Sequence, residues 1–261
     1  MKKYGISFIG AGKVAGVLSR AFSDSGHRIT SIVSRRKENC RELVESLNST
    51  WSSDLSFSDS TDIIVIAVPD DTIREVSCRL RCPEKTIVAH TAGSIGIDVF
   101  PPELKHTGVL YPLQTFSPGR KINFRDLPFF IEASDRNSET VLVELVDSLE
   151  AKAYFAEASS RRLLHVAAVF ACNFTNHMLA ASKIIAAEAG EEFSTLEPLV
   201  RETILKAFEN GPMKSQTGPA VRSDTGTIEK HIELLSFSPE LQQIYKQVTS
   251  SIMDLYKKKS I

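Results

Sequence analysis

Glycines near the start of the chain have the spacing of a phosphate-binding turn. Gly10, Gly12 and Ala15 follow the apolar run 5–9 and precede a helix-like segment. In this context the first glycine permits a tight turn, the second lets the backbone approach a diphosphate, and a small third residue lets the helix pack on a sheet. We therefore predict a dinucleotide site, although a plain glycine turn would also explain the pattern. The predicted contacts are Gly10, Ala11, Gly12, Lys13, Val14 and Ala15.

The end of the next predicted strand, residues 28–33, indicates which dinucleotide would bind. Sites for NAD usually have an acidic residue about 20 residues after the glycines, whereas a basic residue suits the 2′-phosphate of NADP. Here Ser34, Arg35 and Arg36 follow the strand, and the first acid is Glu38. Forked guanidinium donors match a phosphate, so these residues favour NADP. The alternative is that both arginines only solvate the start of a helix.

Small residues follow two further predicted strands. The segments "AVP" (67–69) and "HTAG" (90–93) lie where the strands end, and open α/β sheets bind ligands at the carboxyl ends of their strands. His90 is either a titratable group of the site or a hydrogen-bonded residue at a strand end. Asp70 and Asp71 could simply cap a helix. We expect the cofactor to contact Ala67, Val68, Pro69, Thr91, Ala92 and Gly93.

A fifth strand-like run ends in "YPLQT" (111–115). It follows the others along the chain, so its polar residues should reach the same edge of the sheet. We therefore expect Tyr111 and Gln114 to contact a substrate.

The elements that must position these residues change character near residue 157. Before it, short β-branched runs alternate with amphipathic segments, which predicts a parallel, doubly wound sheet of the α/β class. After it, apolar residues recur at three-to-four spacing, which predicts helices without strands. We therefore expect an N-terminal Rossmann domain over residues 1–157 and an all-helical domain over residues 158–261.

The composition argues against several classes of partner. With 31 basic and 32 acidic residues, the chain lacks a global field that would attract nucleic acid. Its four cysteines follow no zinc-ligand or CxxC spacing, so we expect free thiols, no metal site and a cytoplasmic location. We see no secretory signal and no run of 18 uncharged apolar residues, and we expect no membrane span. A small-molecule substrate is the expected partner.

Six motifs, spread over nearly the whole chain, carry a family resemblance. They are "GAGKVA" (10–15), "AVPD" (67–70), "HTAGS" (90–94), "YPLQTF" (111–116), "HVAAVFACNF" (165–174) and "TGPAVRSDTGTIEKH" (217–231). They resemble the 6-phosphogluconate-dehydrogenase-like superfamily, and within it a Rossmann-like family labelled as NADP oxidoreductases, related to deazaflavin-dependent NADP oxidoreductase and pyrroline-5-carboxylate reductase. The resemblance implies NADP binding, a homodimer formed through the helical domain, and a substrate site between the domains. It implies no particular substrate.

Polar residues interrupt the apolar helical pattern after residue 164. At about 100° per residue, His165, Asn173, Asn176 and His177 would share one face of a regular α-helix. That face could line a cleft, or it could pair with other helices inside a dimer. In the hydroxyacid dehydrogenases of the superfamily a lysine lies four positions before the asparagine. Here that position is Val169, which argues against their mechanism.

The segment "QTGPAVRSDTG" (216–226) is a second unusual stretch. One interpretation is a loop in which Asp224 or Thr225 caps the next helix. The other is an anion-binding rim, in which Thr217 and Arg222 contact the substrate and the guanidinium binds a carboxylate.

These observations lead to one main hypothesis and one alternative. The main hypothesis is an NADP(H)-dependent oxidoreductase that moves a hydride to or from a small carbonyl, imine or deazaflavin-type acceptor. Such a reduction needs a proton donor, for which we nominate His165 or His90, with Asn173 orienting the substrate. The alternative is a non-catalytic NADP(H)-binding sensor or scaffold.

Overall fold

The computed structural model describes residues 2–117, 120 and 122–257. The chain forms two compact units, Met1–Asn173 and Phe174–Ile261. The change in sequence character suggested a boundary after residue 157, whereas the first unit extends to Asn173. The helix that begins at Ala158 belongs with the first unit because Arg161, in its first turn, is bonded to Glu132 in the sheet of that unit.

The first unit alternates strands and helices. Its strands are β1 (Gly5–Ile9), β2 (Arg28–Val33), β3 (Thr50–Ser52), β4 (Ile63–Ile66), β5 (Ile87–His90), β6 (Thr107–Pro112), β7 (Pro128–Ala133) and β8 (Lys152–Phe155). Its helices are α1 (Lys13–Asp24), α2 (Arg41–Ser46), α3 (Ile73–Cys78), α4 (Arg136–Asp147) and α5 (Ala158–Ala168).

The strands form one sheet in the order β3-β2-β1-β4-β5-β6-β7-β8. The strands from β1 to β6 are parallel, which confirms the predicted doubly wound α/β fold. The order reverses between β1 and β4, so a ligand crevice is expected at their carboxyl ends. The sheet is not wholly parallel, however, because β7 runs antiparallel to β6. The described residues between them form no crossover helix, which a parallel pair would need.

Apolar residues cover both faces of the sheet. In β4, Ile63 and Val65 join one buried cluster while Ile64 and Ile66 join another, as the alternation of side chains along a strand requires. The first cluster includes residues of α1 and α4, and the second includes Ile73 of α3. A central strand that is buried on both faces is apolar throughout, which explains the run "IIVI".

The second unit is helical, as predicted. Its helices are α6 (Thr175–Glu188), α7 (Glu197–Asn210), α8 (Pro212–Ser215), α9 (Thr225–Leu234) and α10 (Pro239–Lys257). Asp224 caps α9, because its side chain accepts hydrogen bonds from the backbone N–H and the hydroxyl of Thr227. The capping interpretation of this segment is therefore correct for Asp224.

A π-helical turn, Val169–Phe174, separates α5 from α6. Its hydrogen bonds join residues five apart instead of four, so the phase of the side chains changes between His165 and Asn173. The predicted shared polar face assumed regular α-helical spacing, and that assumption is wrong here. Such turns occur frequently at functional sites.

The helical run Ala158–Glu188 is long and apolar enough to cross a membrane, judged by length and composition alone. Its best 18-residue window has a mean hydropathy of 1.3, and none of that window is buried. The sequence has no unbroken run of 18 uncharged apolar residues here, because histidine, asparagine and threonine interrupt the segment, and the helix meets the criterion through its mean hydropathy and its low number of charged residues. The first turn of the same run contains Arg161, whose buried ion pair with Glu132 joins it to the sheet. That anchor favours a protein-covered surface over a membrane span.

Candidate active site

The glycine turn after β1 passes between two neighbouring strands. Gly10 has φ +108°, and a Cβ at this position would lie 2.2 Å from the backbone oxygen of Ala67. Its N–H donates to the oxygen of Val33 at 2.8 Å. In contrast, a Cβ on Gly12 would meet no atom of the described residues within 4 Å. Gly10 therefore serves the turn itself, while Gly12 leaves an open approach to the backbone.

The start of α1 is suited to an anion. The helix is 12 residues long, its N-cap is Gly12, no side chain caps it, and no acidic residue lies in its first turn. The first N–H groups of a helix have no partner within the helix, and their partial positive charge favours phosphate. Ala15 is fully buried against the sheet, which requires a small residue. These features fit the diphosphate of a dinucleotide.

The turn after β2 presents two arginines to solvent. The Ser34 hydroxyl donates to the oxygen of Arg36 at 2.8 Å and lies 3.2 Å from both Trp51 Nε1 and Cys40 Sγ. Ser34 therefore holds the turn in place, a role the sequence did not suggest. Arg35 and Arg36 are exposed, and neither forms an ion pair with another described residue.

A carboxylate and a hydroxyl meet at the carboxyl ends of β4 and β5. The Ser94 hydroxyl donates to Asp70 Oδ2 in a short hydrogen bond. The residue that caps α3 is Thr72, and Asp70 makes no side-chain cap. The capping interpretation therefore fails for Asp70, whose carboxylate lies at the edge where ligands bind.

Tyr111 and His165 form a hydrogen-bonded pair at the end of β6. The Tyr111 hydroxyl lies 3.0 Å from His165 Nδ1. Tyr111 is 9% exposed, whereas His165 is exposed. Burial, and secondly the carboxylate of Asp70, raise the pKa of Tyr111. A phenol in this setting is protonated at neutral pH.

Gly93 explains how the tyrosine ring is accommodated. A Cβ on Gly93 would lie 2.6 Å from Tyr111 Cζ and within 3 Å of two further ring carbons. A run of small residues such as 91–94 could also leave room for a ligand. The space at Gly93 is instead filled by the ring of Tyr111, which lies directly against the backbone.

His90 is enclosed within the turn that follows β5. It is 0% exposed, its Nδ1 accepts from the N–H of Ala92 at 3.2 Å, and its Nε2 lies 3.4 Å from the oxygen of Gly96. Its ring lies 5.5 Å from that of Phe100. Burial lowers the pKa of His90 to about 4. This geometry favours the structural interpretation of His90 over the role of proton donor.

Two consecutive arginines hold α5 over the same edge. Arg161 is 0% exposed and donates to Glu132 and to the backbone oxygens of Ala156 and Ile95. Arg162 is exposed, and its Nε donates to the oxygen of Ser94 at 2.9 Å. The position of His165, one turn further along α5, is thereby fixed relative to β7 and to the turn after β5.

The family comparisons agree with this architecture. Residues 5–93 match the family described as "NADP oxidoreductase coenzyme F420-dependent". Residues 127–252 match the family described as "domain of unknown function (DUF2520)". No curated protein matches the chain.

A crystal structure from Bacteroides fragilis, described as a "putative NADP oxidoreductase", is 34% identical, with 97% of this chain and 98% of that chain covered and a TM-score of 0.87. The present chain belongs to this NADP oxidoreductase family. A Thermotoga maritima protein (18% identical, 98% and 100% covered, TM-score 0.71) shares the fold. So does a reductive aminase from Aspergillus terreus, solved with NADPH and ethyl-5-oxohexanoate (12% identical, 98% and 99% covered, TM-score 0.72).

Within this family member, the other predicted site residues are distributed over both units. In the first unit, Ala67, Val68 and Thr91 are half-buried, Pro69 is exposed and Ala92 is buried. Gln114 is exposed, and its side-chain oxygen accepts from the N–H of Thr115 at 2.8 Å. Asn173 is exposed in the π-helical turn, and Thr217 and Arg222 are exposed in the second unit. The structure shows no bond between these residues and the Tyr111–His165 pair, so their roles stay predictions.

A large groove in the first unit does not coincide with this edge. It has a volume of about 1270 Å³ and runs along α1, past the start of α2 and the loop around Ile122. It includes Gly12 and Lys13 but neither residues 34–36 nor the Tyr111–His165 pair. The volume of a groove is therefore not sufficient to identify the candidate catalytic residues of this NADP oxidoreductase.

His90 should make the folded protein sensitive to acid. Because the folded-state pKa lies below the ordinary value of 6.5, the unfolded chain binds more protons between pH 6.5 and about 4. Stability is therefore lost as the pH falls through this window. His90→Asn keeps an acceptor for the N–H of Ala92 without titrating. We expect the wild type to lose about 2 kcal/mol more than this variant between pH 7 and pH 4.5, measured by urea unfolding at both pH values. Equal losses would contradict the prediction.

Proposed function

We propose that the protein is an NADP(H)-dependent oxidoreductase that transfers a hydride to or from a small carbonyl, imine or deazaflavin-type acceptor. One observation carries the proposal: an open, uncapped glycine turn and a bonded tyrosine–histidine pair lie at the carboxyl edge of the same parallel strands. The first feature suits a dinucleotide and the second suits proton transfer. The reductase families of the related structures support the same class of reaction.

The cofactor end of the site would use residues of β1, α1 and β2. When bound, NADPH supplies the hydride, while the protein provides binding, orientation and charge. The open backbone at Gly12 and the first N–H groups of α1 would hold the diphosphate. Arg35 and Arg36 would hold the 2′-phosphate with their forked donors, on a turn that Ser34 fixes.

The substrate end would use the polar groups at the ends of β4, β5 and β6. Reduction of a C=O or C=N bond needs a proton at the heteroatom. His90 is enclosed, whereas His165 is exposed and bonded to Tyr111. The pair formed by Tyr111 and His165 is therefore the acid at this edge that is open to solvent exchange. The carboxylate of Asp70 and the guanidinium of Arg162 provide opposite charges at Ser94, at the carboxyl ends of β4 and β5.

Charge reversal at Arg35 tests the choice of nucleotide. Arg35→Glu should weaken NADPH binding by about 50-fold or more while changing NADH binding little, because only NADPH carries the 2′-phosphate. Arg136→Glu is the matched control, since Arg136 begins α4 after the antiparallel strand β7 and thus lies at the opposite edge of the sheet. Isothermal calorimetry with both nucleotides measures the effect. Equal losses for NADPH and NADH would contradict a 2′-phosphate contact.

Turnover tests the reaction class. The oxidation of NADPH, followed by absorbance, should accelerate with at least one member of a panel of 2-keto acids, neutral ketones, cyclic imines and a deazaflavin. The protein must first bind NADPH in the calorimetric assay. Binding without turnover of any acceptor would overturn the enzymatic proposal and favour an NADP(H)-binding sensor or scaffold.

We also propose that the protein acts as a cytoplasmic homodimer. Leu163 of α5 is 74% exposed and Phe208 of α7 is 86% exposed, and apolar side chains so exposed are typical of protein contacts. The four cysteines are free, which suits a reducing compartment. Sedimentation equilibrium should give twice the mass of the chain, and a monomer at micromolar concentration would refute the dimer.

A further inference from the structure

We propose that Tyr111 is the residue that donates the proton to the substrate, and that His165 resupplies it from solvent. The inference rests on the proposed function, because it assigns the proton that accompanies hydride transfer. It differs from the expectation drawn from the sequence, in which a histidine was the donor and Tyr111 only contacted the substrate.

The two side chains have the inner and outer positions that a proton relay needs. The Tyr111 hydroxyl is 3.0 Å from His165 Nδ1, which is within hydrogen-bonding distance. Tyr111 is 9% exposed while His165 is exposed. A phenol has one donor and two acceptor sites, so it can bond to the imidazole and to a substrate atom at the same time. The imidazole has a second nitrogen that can exchange protons with water.

The tyrosine is held rigidly at the edge of the sheet. Its backbone belongs to β6 and pairs with Phe130 of β7. Its ring lies against Gly93, where a Cβ would approach to 2.6 Å, and 6.4 Å from the ring of Phe130. A donor fixed in this way needs little reorganisation when it reacts. This packing explains why the residue after Ala92 is a glycine.

The charges near Tyr111 favour the protonated phenol before the reaction. Burial and the carboxylate of Asp70 both raise the pKa of Tyr111. Two titratable groups act on it directly: the carboxylate of Asp70, which raises its pKa, and the imidazole of His165, to which it is hydrogen-bonded. A protonated His165 can then return a proton to the phenolate within the same hydrogen bond.

The proposed reduction of a carbonyl conserves atoms, protons and electrons. With NADPH bound, the carbonyl carbon would accept its hydride in the new C–H bond, and the π electrons of the C=O bond would move to oxygen. That oxygen takes the proton of the Tyr111 hydroxyl, and the Tyr111 oxygen takes the Nδ1 proton of protonated His165. His165 then regains a proton from water. The sum is one carbonyl, one NADPH and one proton converted to one alcohol and NADP⁺.

The second unit contains a matched control for this pair. His231 Nδ1 lies 2.8 Å from the hydroxyl of Tyr245, in a tyrosine–histidine pair between α9 and α10. Tyr245→Phe removes the same kind of bond as Tyr111→Phe. Any loss that arises only from deleting a hydrogen-bonded tyrosine hydroxyl should therefore occur in both variants.

The first experiment compares these two variants with the wild type. With an acceptor that the wild type reduces, Tyr111→Phe should lower kcat by at least about 100-fold, the usual contribution of a general acid, while KM and the calorimetric Kd for NADPH change less than about 3-fold. Tyr245→Phe should change none of them. A Tyr111→Phe variant with wild-type kcat would overturn the inference and leave the proposed function intact. Absence of turnover by the wild type would overturn both.

The second experiment tests the role of His165 as the positioning and resupplying residue. His165→Asn should lower kcat by about 10-fold, and added imidazole should restore it, because a small base can replace the missing ring. Imidazole should not restore Tyr111→Phe. In the ligand-free protein, the ¹⁵N resonance of His165 Nδ1 should shift in Tyr111→Phe, while that of His231 should shift only in Tyr245→Phe. Rescue of Tyr111→Phe by imidazole, or an unshifted His165 resonance, would contradict the relay.

Discussion

Replacing Gly12 with alanine should weaken NADPH binding by about 100-fold, equivalent to about 2.7 kcal/mol, without changing the melting temperature. Gly12 has φ −77°, which alanine adopts readily, and within the part of the chain that the structure describes no atom beyond the adjoining residues lies within 4 Å of the new methyl group. The fold therefore accepts the substitution. The methyl group would occupy the approach to the first N–H groups of α1, where the diphosphate needs close contact.

Two neighbouring glycines provide controls for this prediction. Gly16→Ala lies one turn further along α1, and its methyl group would make an ordinary 3.6 Å contact with Arg20. Alanine in a helix interior should raise stability by about 0.5–1 kcal/mol and leave the affinity unchanged. Gly10→Ala should instead lower stability, because its Cβ meets Ala67 O at 2.2 Å and its φ is +108°.

Fluorescence offers a convenient measurement of these affinities. Trp51 is the single tryptophan of the chain, and its Nε1 donates to Ser34 on the turn that would hold the 2′-phosphate. Titration with NADPH should therefore change its emission in the wild type and in Gly16→Ala. If Gly12→Ala bound as tightly as the wild type, the diphosphate would have to lie elsewhere.

The sequence predicted the strands of the sheet well but not the direction of the last two, β7 and β8. Runs such as "IIVI" report burial on both faces, and their alternation with helices implies parallel strands. The antiparallel β7 could not be predicted in this way, because the pattern of apolar residues records which face is buried and not the direction of the strand. The same limit applies to the π-helical turn Val169–Phe174, since apolar spacing does not record the hydrogen-bonding pattern of the backbone.

The parts of the candidate site were easier to predict than their arrangement. The glycine turn could be recognised because all of its features are local. Tyr111 and His165 were selected separately, but nothing in the sequence indicates that residues 54 positions apart share a hydrogen bond. The aspartate at position 70 shows the same problem, because a carboxylate before a helix usually caps it, whereas Asp70 accepts from Ser94.

Arg161 was missed because a charged residue at the start of a helix is expected to be exposed. Arg161 and Arg162 are adjacent and chemically identical, and the apolar spacing around them does not distinguish the two. The structure separates them: Arg161 is 0% exposed, and Arg162 is exposed. The signal that would have distinguished them is the acidic partner, Glu132, which lies on a different element.

Because Arg161 is buried and Arg162 is exposed, replacing each of them should change the stability of the protein by very different amounts. Arg161→Met should lower the free energy of unfolding by about 3 kcal/mol, because removing one partner of a buried ion pair leaves the other charge uncompensated. Glu132 would lose its cation, and the backbone oxygens of Ile95 and Ala156 would lose a donor. Urea unfolding followed by circular dichroism measures the change. Arg162→Met is the matched control and should cost less than about 1 kcal/mol, as is usual for an exposed side chain.

Arg161→Met should also lower kcat, and this effect can be measured separately from the loss of stability. Arg161 ties the start of α5 to β7 and to the turn after β5, and His165 lies one turn further along that helix. Loosening this anchor should lower kcat at temperatures where the variant is still folded, since the Tyr111–His165 distance would no longer be fixed. NADPH affinity should be unchanged, because the glycine turn follows β1, whereas Arg161 is bonded to β7 and to the turn after β5. Equal stability of Arg161→Met and Arg162→Met would show that the buried pair contributes nothing to folding, and a normal kcat in Arg161→Met would show that α5 is positioned by other contacts.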